Sequence, residues 1–584
     1  MTLEKLRARA RRRGVLTSWT DVFGRDHEVA PKALEAVLDS LAAGEPAGVP
    51  ITPVAVAWDG ASIRVAFSGP DAGRLDAVLT LEDGDDRPVT IAGPELVLPG
   101  GLPPGYHELV VTTGDAEHRT LVISAPRRAW RDADRLRRFT LFLPLYALRS
   151  ERSPAAGDFT ALADLAEWAG GFGGARVATL PLTSAFLDDP YEPSPYSPVS
   201  RLFLNEFYID AGEVPGLDGP GDGDHVDFRA VMAAKRKVLE KRATAERGPE
   251  VDAWLDANPR ARDYAAFRAE REGGGEAAAR YHEYVQWLAD SQLAEAAERA
   301  EKARSGLVLD LPIGSNPGGY DVDRYGHLFS PGVATGAPPD ELFTGGQNWG
   351  FPPLHPEAIR HDRYRYVIAV LRRLMGPAAS LRIDHVMGLH RLYWVPDGFA
   401  ATEGTYVRYA AHEMYAILTL ESHRNRCELV GENLGTVPDE VRDAMREHGI
   451  QGMYVVPFEM RDDPDLALMA VPDGELAALN THDMPTFAAW WKDGVPRTVR
   501  TYLFRQGLLD PDGGRTEVFR ALLDWLAASP AGEVIVSLED LWGETRPQNV
   551  PGTTMDEAPN FRRSARLAFE EFTTDGGIAA TLES

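Results

Sequence analysis

Three acidic residues each close an apolar, strand-like run: Asp384 in Ser380-Leu381-Arg382-Ile383-Asp384-His385, Glu432 in Leu429-Val430-Gly431-Glu432-Asn433, and Asp483 in Leu479-Asn480-Thr481-His482-Asp483. An acid after an apolar strand is common in α/β proteins, so one alone carries little. Three in order, with Arg382 and His482 beside them, form a set. Such a set can cleave a glycosidic bond with retention. One carboxylate attacks the anomeric carbon, and a second, protonated carboxyl releases the leaving oxygen; the two must lie roughly 5–5.5 Å apart. Asp384 is read as the nucleophile and Glu432 as the acid, then base. Arg382 precedes Asp384 by two residues, so on a strand both point to one side. A guanidinium there is expected to keep Asp384 ionised. Asp483 and His482 are placed to hold sugar hydroxyls and help distort the ring. This chemistry calls for no metal and no cofactor.

The elements that would carry these groups alternate along the chain. Strand-like runs at 139–145, 177–182, 307–311, 381–384, 429–432, 453–458, 478–483 and 534–538 are separated by helical stretches. Eight parallel strands with intervening helices make an α/β fold, the (β/α)₈ or TIM barrel, whose active groups sit at the C-terminal strand ends. The barrel domain is expected over 131–584, with a helical insertion at 212–305 in which Tyr281, Tyr284, Val285 and Leu288 face a core. Residues 1–45 read as a helical segment: Leu3, Leu6 and Ala10 share one face, and Pro31 opens a second helix with Ala33, Val37 and Leu41 inward. Residues 46–130 read as a small β-sandwich, with strand runs near 54–58, 63–67, 77–81, 109–111 and 121–123 between Gly/Pro/Asp turns. It would either bind glucan or pack against the next domain; packing is favoured.

Bulk properties narrow the partners. A chain of 584 residues exceeds one ordinary core. The net charge of −27 repels nucleic acid and anionic membrane, while a neutral sugar is not penalised. Cys427 is the only cysteine, which rules out an internal disulfide and makes a cysteine-based zinc site implausible. The N-terminus is basic but lacks an apolar signal region, and no apolar run of about 18 residues exists. Together these point to the cytoplasm.

The segments around the three acids resemble the amylomaltases, the 4-α-glucanotransferases of glycoside hydrolase family 77, and the resemblance covers nearly the whole chain. Arg382-Ile383-Asp384-His385-Val386-Met387-Gly388-Leu389, followed by Tyr393-Trp394-Val395-Pro396, is similar to the family's nucleophile strand. Gly431-Glu432-Asn433-Leu434-Gly435-Thr436-Val437 is similar to the acid/base segment, with Asn433 where relatives usually carry Asp. Asn480-Thr481-His482-Asp483-Met484-Pro485-Thr486 is similar to the third, with Met484 where Asn is frequent. The resemblance implies further substrate contacts: Tyr196 in Ser194-Pro195-Tyr196-Ser197-Pro198, stacking on the sugar beside the cut bond; Asn205 in Phe203-Leu204-Asn205; and Gln347 and Trp349 in a loop arching over the cleft. An aromatic such as Trp349 suits a sugar's apolar face. It also implies that Asp310 helps order the site and that Asn549-Val550-Pro551-Gly552-Thr553 belongs to the family pattern. His385 stands between substrate contact and structural service. The implied activity is transfer of α-1,4-glucan segments between malto-oligosaccharides through a glycosyl-Asp intermediate.

Two other readings compete: a retaining hydrolase of the α-amylase type, with water as acceptor, and a catalytically dead glucan-binding protein, against which the three acids speak. Other signals fail. Gly170-Gly171-Phe172-Gly173-Gly174 precedes a strand, the reverse of a dinucleotide site, and His412-Glu413 lacks the second zincin histidine. Lys235, Arg236, Lys237, Lys241 and Arg242 read as a solvated helix face. No internal repeat and no Ser–His–Asp arrangement is recognisable, and the oligomeric state is not readable from the chain.

Overall fold

The computed structural model describes residues 2–583 apart from 22–23, 45–47, 69–74, 133–137, 188, 190, 218, 220–222 and 341–342. The boundary expected at 45–46 lies outside the described residues. The chain forms two compact units. One comprises Met1–Asp132, Ile313–Gly376 and Ile383–Ile450; the other comprises Ala133–Pro312, Pro377–Arg382 and Gln451–Ser584.

The (β/α)₈ barrel is present. Its strands are β1 (Arg138–Phe142), β2 (Arg176–Ala178), β3 (Leu307–Leu311), β4 (Ser380–Ile383), β5 (Glu428–Gly431), β6 (Met453–Val455), β7 (Leu476–Ala478) and β8 (Glu533–Ser537). They follow one another in a single sheet in the order β5-β4-β3-β2-β1-β8-β7-β6, so β1 lies beside β8, as a barrel requires. The pairs β1–β2, β1–β8, β2–β3, β6–β7 and β7–β8 are parallel. Such strands are covered on both faces, which is why they read as unbroken apolar runs; all of β2 is buried. A polar knot sits among them. Glu533 of β8 accepts from Thr140 of β1 and pairs with Arg176 of β2 at 3.3 Å, all three side chains buried.

Four strands stop three or more residues short of the expected runs: β1 at Phe142, β2 at Ala178, β6 at Val455 and β7 at Ala478. The run 478–483 was read as a strand, but β7 ends at Ala478. The polar residues beyond it bond to their own turn: the Asp483 N–H donates to Thr481 Oγ1 at 3.3 Å and the Met484 N–H to the Thr481 carbonyl at 3.1 Å. Asp483 therefore stands on a loop past the strand end, whereas Asp384 and Glu432 directly follow β4 and β5.

Between β2 and β3 lie helices Phe228–Ala245, Pro249–Ala257, Arg260–Glu272 and Gly275–Lys302. Tyr281, Tyr284, Val285 and Leu288 are buried, as their spacing predicts. The basic face on Phe228–Ala245 is not uniformly solvated. Lys235 is 4% exposed and donates from Nζ to the carbonyls of Phe207 at 2.7 Å and Ile209 at 3.0 Å. The Phe207 carbonyl lies in a short 3₁₀ turn and the Ile209 carbonyl just past it, and the buried ammonium satisfies both.

In the other unit, helices Leu3–Arg12 and Pro31–Ala43 share a core with the sheet strands Val333–Ala337, Arg391–Pro396 and Thr405–Arg408. Leu6, Ala10, Ala33, Val37 and Leu41 are inward, but Leu3 is 44% exposed, one turn short of that core. The β-sandwich consists of a five-stranded and a three-stranded sheet around Leu79, Leu96, Leu98, Leu109 and Val122. It packs against the helix Ala411–Asn425 and the turn before the helix Arg365–Met375, both in the same unit: Glu108 pairs with Arg363, Glu82 with Arg424, and the Tyr106 ring lies 4.9 Å from the Arg424 guanidinium. Among the described residues no helix is long and apolar enough to cross a membrane.

Candidate active site

Asp384 and Glu432 are brought together by backbone. The Glu432 N–H donates to the Ile383 carbonyl at 2.9 Å, and the Val386 N–H donates back to the Glu432 carbonyl at 3.0 Å, so Glu432 is bonded to residues on both sides of Asp384. This approach needs Gly431: a Cβ there would lie 2.8 Å from Val386 Cγ2 and 2.9 Å from Met445 Cε. The Glu432 side chain, 9% exposed, is fixed by two more backbone donors. Oε2 accepts from the His385 N–H at 3.0 Å and Oε1 from the Leu434 N–H at 2.7 Å. Each oxygen thus has an N–H aimed at it, which sets the plane of the carboxyl. Asp384 itself is half-buried.

His385 directs one of those donors by adopting φ 47°, the left-handed region that L-residues occupy at a cost. Its ring packs edge-on against Trp349, centroids 5.3 Å apart at 81°. Burial pushes the imidazole down to about 4, with the Asp384 carboxylate opposing only in part, so the ring is neutral near neutral pH. Trp349 donates from Nε1 to Gln347 Oε1 at 3.3 Å. Gln347 opens the short strand Gln347–Asn348, which Trp349 follows, and the Gln347 carbonyl approaches Gly336 so closely that a Cβ there would lie 2.1 Å away.

The remaining predicted residues form a second group, in the other unit. Asp310 of β3, 4% exposed, takes the guanidinium of Arg382 from β4, with Nη1 at 2.8 Å from each carboxylate oxygen. Oδ2 also accepts from the Tyr196 hydroxyl at 2.7 Å. The Tyr196 ring stacks on His482, centroids 5.1 Å apart at 9°, and His482 Nε2 lies 3.3 Å from Asp483 Oδ1. Arg382, expected beside Asp384, is anchored by Asp310, a buried acid on the neighbouring strand.

Charges in this group support one another. Burial pushes the Asp483 carboxyl up, but His482, the Asn549 amide and Arg382 outweigh it and hold the group at about 2. Its side chain is 45% exposed, so solvent screens part of this effect. Burial pushes His482 down, and Asp483 outweighs that and raises it.

Asn205 is 6% exposed, and its Oδ1 accepts from the Phe207 N–H at 3.1 Å, capping the short turn Glu206–Tyr208. No described bond joins it to the Asp310 group. Two residues not singled out from sequence do join that group's loop. Asn549 donates from Nδ2 to Asp483 Oδ1 at 2.7 Å, and Asp540 bonds to the loop at Asn480 and Phe487. Asn549 stood in a segment with a family pattern, but nothing local says that it reaches back 66 residues. Among the described residues no cluster of three His, Cys, Asp or Glu is arranged to hold a metal ion.

Comparison with known proteins agrees with this architecture. The glycoside hydrolase family 77 profile, described as 4-alpha-glucanotransferase, matches residues 143–281 and 271–568. The profile of the MalQ N-terminal beta sandwich domain matches residues 50–126. The chain is 32% identical to the 4-alpha-glucanotransferase of Mycobacterium tuberculosis, over 95% of this chain and 93% of that one. It is 30% identical to the 4-alpha-glucanotransferase of Haemophilus influenzae, over 67% of this chain and 66% of that one. Its structure is similar to the crystal structure of amylomaltase from Corynebacterium glutamicum, with a TM-score of 0.90, 25% identity, and coverage of 100% of this chain and 99% of that one.

Proposed function

This chain belongs to the 4-alpha-glucanotransferase family, and we propose that Asp384 and Glu432 transfer α-1,4-glucan segments between malto-oligosaccharides or longer glucans by double displacement. Asp384 attacks the anomeric carbon while Glu432 protonates the departing glucan oxygen, leaving a glycosyl ester on Asp384. The 4-hydroxyl of an incoming sugar, deprotonated by Glu432, then displaces the ester and takes the chain. The observation that carries this reading is the backbone clamp around Glu432: bonds to Ile383, His385 and Val386 hold its carboxyl next to Asp384 in an orientation that does not depend on a flexible side chain.

Asp483 and His482 are assigned to sugar hydroxyls, Tyr196, Gln347 and Trp349 to sugar faces and edges, and His385 to orienting Glu432. Arg382 and Asp310 serve as a charge-paired floor that holds Tyr196. Asn205 is assigned to shaping the substrate loop. The domain division that fits this role is a helical segment at 1–45, a β-sandwich at 46–130 and a barrel over 131–584. A cytoplasmic location suits a chain with one cysteine and a substrate of intracellular glucan type.

Incubation with maltotriose tests the proposal. Transfer yields glucose together with sugars longer than maltotriose. Products confined to sugars shorter than maltotriose would instead identify a hydrolase.

A further inference from the structure

The loop 480–487, which carries His482 and Asp483, is tied at both ends to one buried side chain. Asp540, 6% exposed, lies in the short helix Leu538–Leu541 that follows β8. Its Oδ2 accepts from Asn480 Nδ2 at 2.8 Å, and its Oδ1 accepts from the Phe487 N–H at 2.7 Å. Asn480 opens the loop and Phe487 starts the next helix, so the two oxygens of one carboxyl bracket the segment between them. A third tie lies alongside: the Thr486 hydroxyl donates to the Glu544 carbonyl at 2.5 Å.

We propose that Asp540 is a positioning residue for glucan transfer, which sets the placement of His482 and Asp483 by clamping both ends of their loop. This rests on the role assigned to Asp483 above. A buried acid whose partners are a neutral amide and a backbone N–H is a costly way to satisfy two donors, since among the described residues no cation is paired with it. Consistent with this, burial pushes the Asp540 carboxyl up to about 7, the Phe487 N–H and the Asn480 amide opposing in part and Glu539 adding to the rise. The charge that acts on it, Glu539, is itself paired with Arg563. A positioning role accounts for a polar side chain at this buried place. The two coplanar polar atoms at the end of this side chain reach both ends of the loop.

The test uses the full chain and maltotriose. Asp540→Ala removes both acceptors, whereas Asp540→Asn keeps an oxygen for the Phe487 N–H and an amide that can pair with the amide of Asn480. Because small misplacements of a catalytic group cost up to about a hundredfold, kcat of Asp540→Ala is expected to fall by about tenfold or more, with KM changed less. Asp540→Asn should stay within about threefold of the unaltered protein. Asn480→Ala, at a half-buried position, cuts one end only and should fall between them, which keeps the test open if Asp540→Ala does not fold. Wild-type kcat in Asp540→Ala or in Asn480→Ala, or an Asn variant as impaired as the Ala one, would overturn the clamp. Longer sugars from the unaltered protein report separately on the proposed function.

Discussion

The backbone N–H of His385 donates to Oε2 of Glu432 at 3.0 Å, and it does so from a left-handed conformation, φ 47°. The residue next to the proposed nucleophile thus orients the proposed acid through main chain rather than through its ring. Catalytic groups held this way keep their geometry when side chains move.

That relationship predicts an order among substitutions at one position. His385→Gly adopts φ 47° freely, whereas a β-branched residue there is a conformational outlier. Each loses the ring, so their difference reports on the backbone. With left-handed strain of roughly 1–2 kcal/mol, kcat of His385→Gly should exceed that of His385→Val by about fivefold or more, measured by glucose release from maltotriose.

Glu432→Gln tests the acid itself. The amide offers one acceptor oxygen for two N–H donors, so its NH₂ must face either His385 or Leu434. General acid–base catalysis is worth about 10²–10⁴-fold, so kcat should fall by about a thousandfold or more while the variant still binds glucan in calorimetry. Turnover close to that of the unaltered protein would remove Glu432 from the mechanism.

Asp310 and Tyr196 are predicted to differ sharply in weight. Asp310→Ala strips a buried partner from Arg382, whose own side chain is 17% exposed, and breaking such a pair costs about 3–5 kcal/mol. Tyr196→Phe removes the hydroxyl's bond to Asp310 and leaves the ring on His482, a loss of about 1.5–3 kcal/mol. Urea unfolding curves of the two variants should rank in that order.

The Asp483–His482 pair sets a pH window. Asp483, held at about 2 in the folded chain, contributes stability above the unfolded value of about 3.9 and loses it as pH falls toward 2. His482, raised in the folded chain, contributes stability below the unfolded value of about 6.5 and loses it as pH rises through its folded value. Their combined contribution is therefore complete between about pH 4 and 6.5 and declines on both sides. Asp483→Asn should flatten both declines in a stability profile taken by urea unfolding from about pH 2 to 9; an unchanged profile would show that the pair does not act this way.

Read from sequence, the chain already determined its strand order, its small β-sandwich and the place of Asp384 and Glu432 at the ends of β4 and β5. Those features rest on apolar runs and turn residues close together along the chain, where local physics decides. Tertiary structure alone decided that Arg382 is held by Asp310, that Lys235 is buried on two carbonyls, that β7 stops at Ala478, and that Asn549 and Asp540 hold the Asp483 loop. Each of these depends on which polar groups meet once distant segments pack. A side chain's partner is chosen by burial and hydrogen-bond need in three dimensions, and no local pattern of residues carries that choice.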